Sequence, residues 1–261
     1  MSHPPFFSSV LDAGTVHTSV VDGVATVRFA HPKGNSLPGA LLTRLAETIA
    51  LMGQDPAARV IVLRSEGSGP FCAGASFDEF KAVRDPAGGK QFFSGFAKVI
   101  LAMIRSPKFV VARVHGKTAG GGIGLVAASD YAIGVEGASL KLSELAVGLG
   151  PFVIGPVVER KVGPGPFAAM SIDADWRDAA WAERHGLYSR VFDSVPDMDT
   201  ALAKLLQFIT AANPEAILQL KRAFWADVTD WEQLMDRRAA ISGALALSAH
   251  TRAAIDKFEK R

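Results

Sequence analysis

A single cysteine, Cys72, stands among 261 residues, so no disulfide can form within the chain and a reducing compartment is expected. No apolar run approaches the ~20 residues that a membrane-spanning helix needs, so no membrane association is expected. Met1 to Val10 holds two prolines and several polar residues in place of a basic and then apolar leader, and the expectation is a cytoplasmic protein. Blocks of like charge are missing too. The 28 Lys and Arg against 26 Asp and Glu leave a formal net charge of +2, and nucleic acid is not an implied partner. No His, Cys, Asp and Glu group has metal-ligand spacing, so no metal is expected. No GxxxxGK[ST] run is present, nor any tandem repeat or low-complexity tract.

What is present is apolar residues, 49% of the chain, and 25 glycines. The length suits one large domain or a domain with an appendage, and a core that needs no covalent staples. Val24 to Ala30 alternates, with Ala25, Val27 and Phe29 on one side and Thr26 and Arg28 on the other, which predicts a half-buried strand. Leu42, Leu45, Ile49 and Met52 recur at helical spacing and predict an amphipathic helix near 38–53, ended by Asp55-Pro56. Val60 to Leu63 reads as a strand buried on both faces. Phe92, Phe96, Val99, Ile100 and Met103 predict a helix over roughly 90–105. Further strands are expected at Phe109 to Val114, Tyr131 to Val135, Leu140 to Leu142 and Tyr188 to Phe192, with helices at Val153 to Val162 and Asp178 to His185. Strand, strand, helix recurs, which argues an α/β fold. After Pro196 helix formers dominate, with helices expected near 198–212, 215–226 and 230–258. The expected division is therefore 1–195 and an all-helical 196–261.

Two small-residue stretches follow strands: Ala73-Gly74-Ala75 and Gly120-Gly121-Gly122. At a strand-to-helix junction three glycines remove every side chain, leaving N–H groups unshielded in front of the helix dipole. One amide from each stretch, aimed at one oxygen, would make an oxyanion hole; a tight turn that needs glycine is the other reading. Glu144 lies among Leu140, Leu142, Leu145 and Val147, where desolvation raises a carboxyl pKa into the range of a general base. Its other reading is a first-turn helix glutamate behind a Ser143 cap. Cys72 reads as a small buried residue and His115 as an imidazole bonded to loop backbone. Asp130 reads as a structural hydrogen-bonding residue, and Asp78 and Glu79 as solvated helix-start residues.

At these residues the chain resembles the crotonase superfamily, the enoyl-CoA hydratase/isomerase family. The resemblance runs through Arg59 to Leu63, Phe71 to Ala75, Val114 to Gly122, Ser129 to Tyr131, Leu140 to Gly150, Gly186 to Val191 and the Phe258 to Arg261 end. The two glycine-bearing blocks, in this order and about 45 residues apart, are specific to that family. It implies a crotonase-like spiral of ββα turns, residues 1–195 binding acyl-CoA, and a C-terminal helical trimerisation region, 196–261, giving a homotrimer or a dimer of trimers. The implied substrate is an acyl-CoA thioester, with no separate cofactor. The implied oxyanion amides are those of Ala75 and Gly121, and Glu144 is the implied acid–base residue. Ala73, Ser76 and Phe77, with Lys33 and a neighbouring subunit's Phe258, are the implied contacts to CoA. The chain departs from the family's hydratases where their second glutamate stands, two residues past the triple glycine; here it is Gly124. The aspartate usual after Ala75 is Ser76. One carboxylate suits Δ3,Δ2-enoyl-CoA isomerisation better than hydration, which calls for two. Hydration stays open, with Asp78 or Glu79 as a substitute acid, as do hydrolase, decarboxylase, dehalogenase and non-catalytic acyl-CoA-binding readings.

Overall fold

The structure, a computed structural model, describes residues 14–259. Six strands form the main sheet in the order β1 (Thr15–Val21), β2 (Val24–Ala30), β3 (Val60–Ser65), β4 (Val110–Val114), β6 (Tyr131–Val135) and β8 (Arg190–Phe192). A second, two-stranded sheet pairs β5 (Thr118–Ala119) with β7 (Leu140–Lys141). β1 and β2 are antiparallel, joined at Asp22-Gly23, where both residues have positive φ (+49° and +80°) as a tight hairpin turn requires. All other neighbours in the main sheet run parallel. The alternation of β2 is realised: Ala25, Val27 and Phe29 are buried and the residues between them are half-buried. Val60, Ile61, Val62 and Leu63 are all buried, as a central parallel strand demands. The sequence pattern did not single out β1, because His17, Thr18 and Ser19 are consecutive exposed residues on an edge strand.

Helix α1 (Gly39–Gln54) packs along β1 to β3. The short α2 (Phe77–Ala82) follows the first small-residue stretch. The long α3 (Pro86–Arg105) packs on α1, and α4 (Gly121–Ala128) springs from the triple glycine. Then come α5 (Gly155–Val162), α6 (Pro164–Asp173) and α7 (Ala179–Arg184). The C-terminal part holds α8 (Val195–Ala211), α9 (Pro214–Phe224), α10 (Trp231–Leu245) and α11 (Ala249–Glu259). α6 starts at Gly163-Pro164-Gly165-Pro166, a loop-like composition in which proline at the helix start is tolerated.

The helix expected over 230–258 is two helices. They break where Ser248 Oγ accepts the Thr251 N–H at 3.2 Å and caps α11. α10 lies on α3 at a distance that only glycines permit: a methyl on Gly89 would stand 2.7 Å from Gly243 Cα. α8 contacts β3, β6 and β8, while Ile217, Trp225 and Met235 from the later helices enter the same apolar core as the strands.

Candidate active site

Two loops are brought side by side by backbone pairing. Asn35 Nδ2 donates to Glu66 O (3.0 Å) and Pro70 O (2.8 Å), pinning both ends of the loop after β3. Beyond it, Phe71 N–H donates to Lys117 O at 2.9 Å and Cys72 O accepts from Ala119 N at 2.8 Å, so this stretch runs along β5. Leu37 N–H donates to Gly74 O at 2.8 Å, and Ser76 N–H donates to Leu37 O at 3.3 Å. In such a parallel bridge the residue between, Ala75, turns its own N–H away from Leu37. That N–H has no hydrogen-bond partner among the described residues, and neither has the Gly121 N–H at the start of α4. A methyl on Gly74 (φ +92°) would stand 3.1 Å from Ala119 O and 3.8 Å from Gly121 N, so the two loops are in contact. Gly120 sits at φ +49°, ψ −125°, a conformation that side chains forbid, and its own N–H is used by Lys141 O at 3.0 Å. The turn therefore frees the Gly121 amide while fixing the residue before it.

Glu144 lies against this turn: a methyl on Gly120 would stand 3.4 Å from Glu144 Oε1. It does not begin an α-helix. It precedes one 3-10 turn, Leu145–Val147, which Gly148 ends at φ +78°, and no side chain caps that turn. The residue as a whole is half-buried, but Oε2 is shut off from solvent and has no hydrogen-bond partner among the described residues. Burial pushes the carboxyl pKa up to about 7, against the pull of the Glu144 and Ser143 backbone N–H groups. Beside it the surroundings are apolar. The Phe96 ring covers Gly121, where an added methyl would meet ring carbons at 2.5 Å. Val147 and Leu149, which follow Glu144, join Phe77, Phe80, Phe92, Phe93 and Ile255 in one cluster. Thr251 Oγ1 donates to Gly148 O at 3.0 Å and ties α11 onto the Glu144 turn.

The remaining acids near the glycine blocks are engaged elsewhere. Glu79 is not a solvated helix-start residue: its Oε2 accepts the Gly39 N–H at 2.7 Å and caps α1. Asp78 is exposed and hydrogen-bonded to the exposed Lys33 ammonium, with Lys81 at 3.5 Å on its other side; the Lys33 hydrogen bond, first, and both ammonium charges hold its carboxyl below the usual range. At Gly124 a Cβ would stand 2.6 Å from Ile154 Cγ2 and 3.1 Å from Ile100 Cδ1, so packed isoleucines fill the place of a side chain.

Of the implied CoA contacts, Ala73 is exposed and Phe77 half-buried beside the glycine loop. Ser76 is buried, and its Oγ accepts the Glu79 N–H as the cap of α2. The side chain of Phe258 lies outside the described residues.

Cys72 is fully buried, and burial pushes its thiol up to about 12. Asp130 accepts from Val110 N, Lys221 Nζ and Trp225 Nε1, as a structural residue should. His115 lies against the loop backbone at Gly69, as expected, although neither ring nitrogen makes a well-aligned hydrogen bond among the described residues. The described residues hold no group of three or more His, Cys, Asp and Glu placed around a metal position, and no helix long and apolar enough to cross a membrane.

The model of the enoyl-CoA hydratase/isomerase family matches residues 20–261. Rat mitochondrial methylglutaconyl-CoA hydratase is 28% identical over 190 residues, 72% of this chain and 60% of the relative. An indene-carboxyl-CoA hydrolase from Rhodococcus jostii is 32% identical over 132 residues, 51% of each chain. The chain thus spans between half and two thirds of the length of these relatives. An enoyl-CoA hydratase structure from Mycobacterium avium superposes with a TM-score of 0.83 at 26% identity, covering 94% of this chain and 96% of that one. One from Bacillus halodurans shares the fold at a TM-score of 0.87 and 18% identity, covering 93% and 99%.

Proposed function

The chain belongs to the enoyl-CoA hydratase/isomerase family, and within it we propose an acyl-CoA isomerase that moves a double bond from C3 to C2 with one carboxylate. The thioester oxygen accepts the Ala75 and Gly121 N–H groups. Ionised Glu144 takes a proton from C2, the electron pair delocalises through the C3–C4 double bond and the thioester carbonyl, and the two amides hold the dienolate charge. Protonated Glu144 then delivers the same proton to C4, and the new double bond lies between C2 and C3, conjugated with the carbonyl. Two convergent amide donors suit this charge, each worth about 2.7–4 kcal/mol in a preorganised site. Burial of Glu144 suits a base that must accept and return a proton near neutral pH.

The observation that carries this reading is that Glu144 is the one buried carboxyl beside these amides left without a hydrogen-bond partner at Oε2 among the described residues. Hydration calls for two acids around one water, and here Ile154 and Ile100 fill the second position while Glu79 caps α1. Hydration remains the second reading, favoured by the hydratase names of several relatives. Purified protein decides between them. Conversion of a 3-enoyl-CoA to its conjugated isomer, with slow hydration of crotonyl-CoA, is expected; fast hydration with the 3-enoyl-CoA untouched overturns the isomerase.

Gly124→Glu is expected to supply no hydratase activity, because its Cβ overlaps Ile154, and to cost about 1–3 kcal/mol of stability by overpacking. Chemical denaturation and a crotonyl-CoA assay on the same sample check both parts.

Lys33 with Ala73, Ser76 and Phe77 would hold the CoA portion, the Ser76 hydroxyl while still capping α2. A partner subunit's copy of Phe258 would close over it. Exposed Phe208, Leu220 and Phe224 on α8 and α9 give a homotrimer, or a dimer of trimers, apolar area to bury.

A further inference from the structure

We propose a second ligand site, for a small oxyanion of the phosphate class, where Arg28, Arg64 and His115 meet on the α8 face of the sheet. The parallel register sets Arg28 opposite Arg64 and Arg64 opposite Arg113, so the three guanidiniums rise side by side from adjacent strands about 4.8 Å apart. His115 follows Arg113 by two residues just past the end of β4.

The compensation of this charge is incomplete. Asp199 from α8 pairs bidentately with Arg113, with Nε–Oδ1 at 2.5 Å and Nη2–Oδ2 at 2.8 Å, and its charge also acts, more weakly, on Arg64 and His115. Glu66 stands 3.7 Å from Arg28 Nε, a loose pair that is about 40% exposed on both sides and of the surface kind that contributes little. Arg64 makes no hydrogen bond or ion pair among the described residues. Six buried side-chain polar atoms have no well-aligned hydrogen-bond partner among the described residues, and four are here: Arg28 Nε, Arg64 Nε and both ring nitrogens of His115. Burial and then the neighbouring Arg113 hold the Arg64 pKa below its usual range, and burial with Arg113 and Arg64 lowers that of His115.

Unpaired buried donors are costly, and guanidinium groups match the oxygen geometry of a phosphate. The arginines sit near the ends of parallel strands β2, β3 and β4, with His115 just past the end of β4. The adjoining loop is open to solvent, since a methyl on Gly67 or Gly69 would meet nothing within 4 Å. None of these residues is among those assigned to acyl-CoA, so the two sites share no side chain.

Isothermal titration of the full chain with inorganic phosphate, and separately with glycerol 3-phosphate, tests this at constant ionic strength set with chloride. Saturable binding of either probe is expected, the tighter one distinguishing a free ion from a phosphomonoester. Arg64→Gln should weaken it at least tenfold and Arg28→Gln more modestly, with acyl-CoA turnover in both variants within twofold of the parent. No saturable heat with either probe overturns the proposal. So does unchanged affinity in both variants, or competition between phosphate and acyl-CoA, which would place the anion in the acyl-CoA site.

Discussion

Glu144→Gln is expected to lower kcat for the 3-enoyl-CoA by about 10²–10⁴-fold, the usual contribution of a positioned acid–base group. Binding of the acyl-CoA should change by less than threefold, because the amides of Ala75 and Gly121 are untouched. A non-catalytic binder would lose nothing, and equal losses in kcat and affinity would mean that Glu144 only shapes the pocket. Stopped-flow turnover beside titration calorimetry separates the three outcomes. The wild-type pH profile follows from the same carboxyl. The base must be ionised, so kcat/KM should rise with pH through an apparent pKa near 7 and level off above about pH 8.

Stability runs the other way. The folded pKa, about 7, lies above the 4.5 of a free glutamate, so the native state holds this proton longer than the unfolded chain. Between roughly pH 4.5 and 7 stability falls as pH rises, by at most about 3 kcal/mol from this group. Glu144→Gln removes that slope and should make the protein more stable than its parent at pH 8 while leaving the two similar at pH 4.5. A site that gains stability when its carboxyl is neutralised is one held in place at a cost, as a working base is.

The parts of this site that were legible in the sequence are those written in local composition. Ala73-Gly74-Ala75 and Gly120-Gly121-Gly122 announce backbone approach because a glycine requirement is a property of one residue, and the leucines around Glu144 announce its burial. The alternation of β2 and the spacing of α1 are likewise periodic signals. What the sequence could not display depends on partners far along the chain. Nothing near Gly124 reveals that Ile154 occupies its side-chain position, and nothing near Glu79 reveals that it caps a helix forty residues earlier. The arginine row is invisible for the same reason: Arg28, Arg64 and Arg113 become neighbours only through strand register. Ser76, singled out for contact with CoA, also proved to be the cap of α2, since a serine before an acidic first turn serves both readings equally.

Asp130→Ala should be the most destabilising single substitution considered for this fold, costing about 3–5 kcal/mol. The Asp130 and Lys221 side chains are only 4% and 3% exposed, with Oδ2 and Nζ at 2.6 Å. The same carboxylate accepts the Val110 N–H at 2.7 Å and the Trp225 indole N–H at 3.0 Å, and Lys221 Nζ also reaches Met103 O at 2.8 Å. The Asp130–Lys221 pair thus joins the start of β4, the end of α3 and helix α9. Burial lowers the Lys221 pKa and Asp130 opposes that shift, so removing the carboxylate leaves an ammonium with its desolvation uncompensated. Asp130→Asn keeps most of the shape but not the charge, and should fall between wild type and alanine. Adding Lys221→Met to Asp130→Ala should recover part of the loss, because an apolar pair costs less than a widowed buried charge. Urea unfolding of wild type, Asp130→Ala, Lys221→Met and the double variant forms the cycle. If Asp130→Ala costs under 1 kcal/mol, or the double variant is less stable than Asp130→Ala alone, the ion pair is not what fastens the C-terminal helices to the sheet.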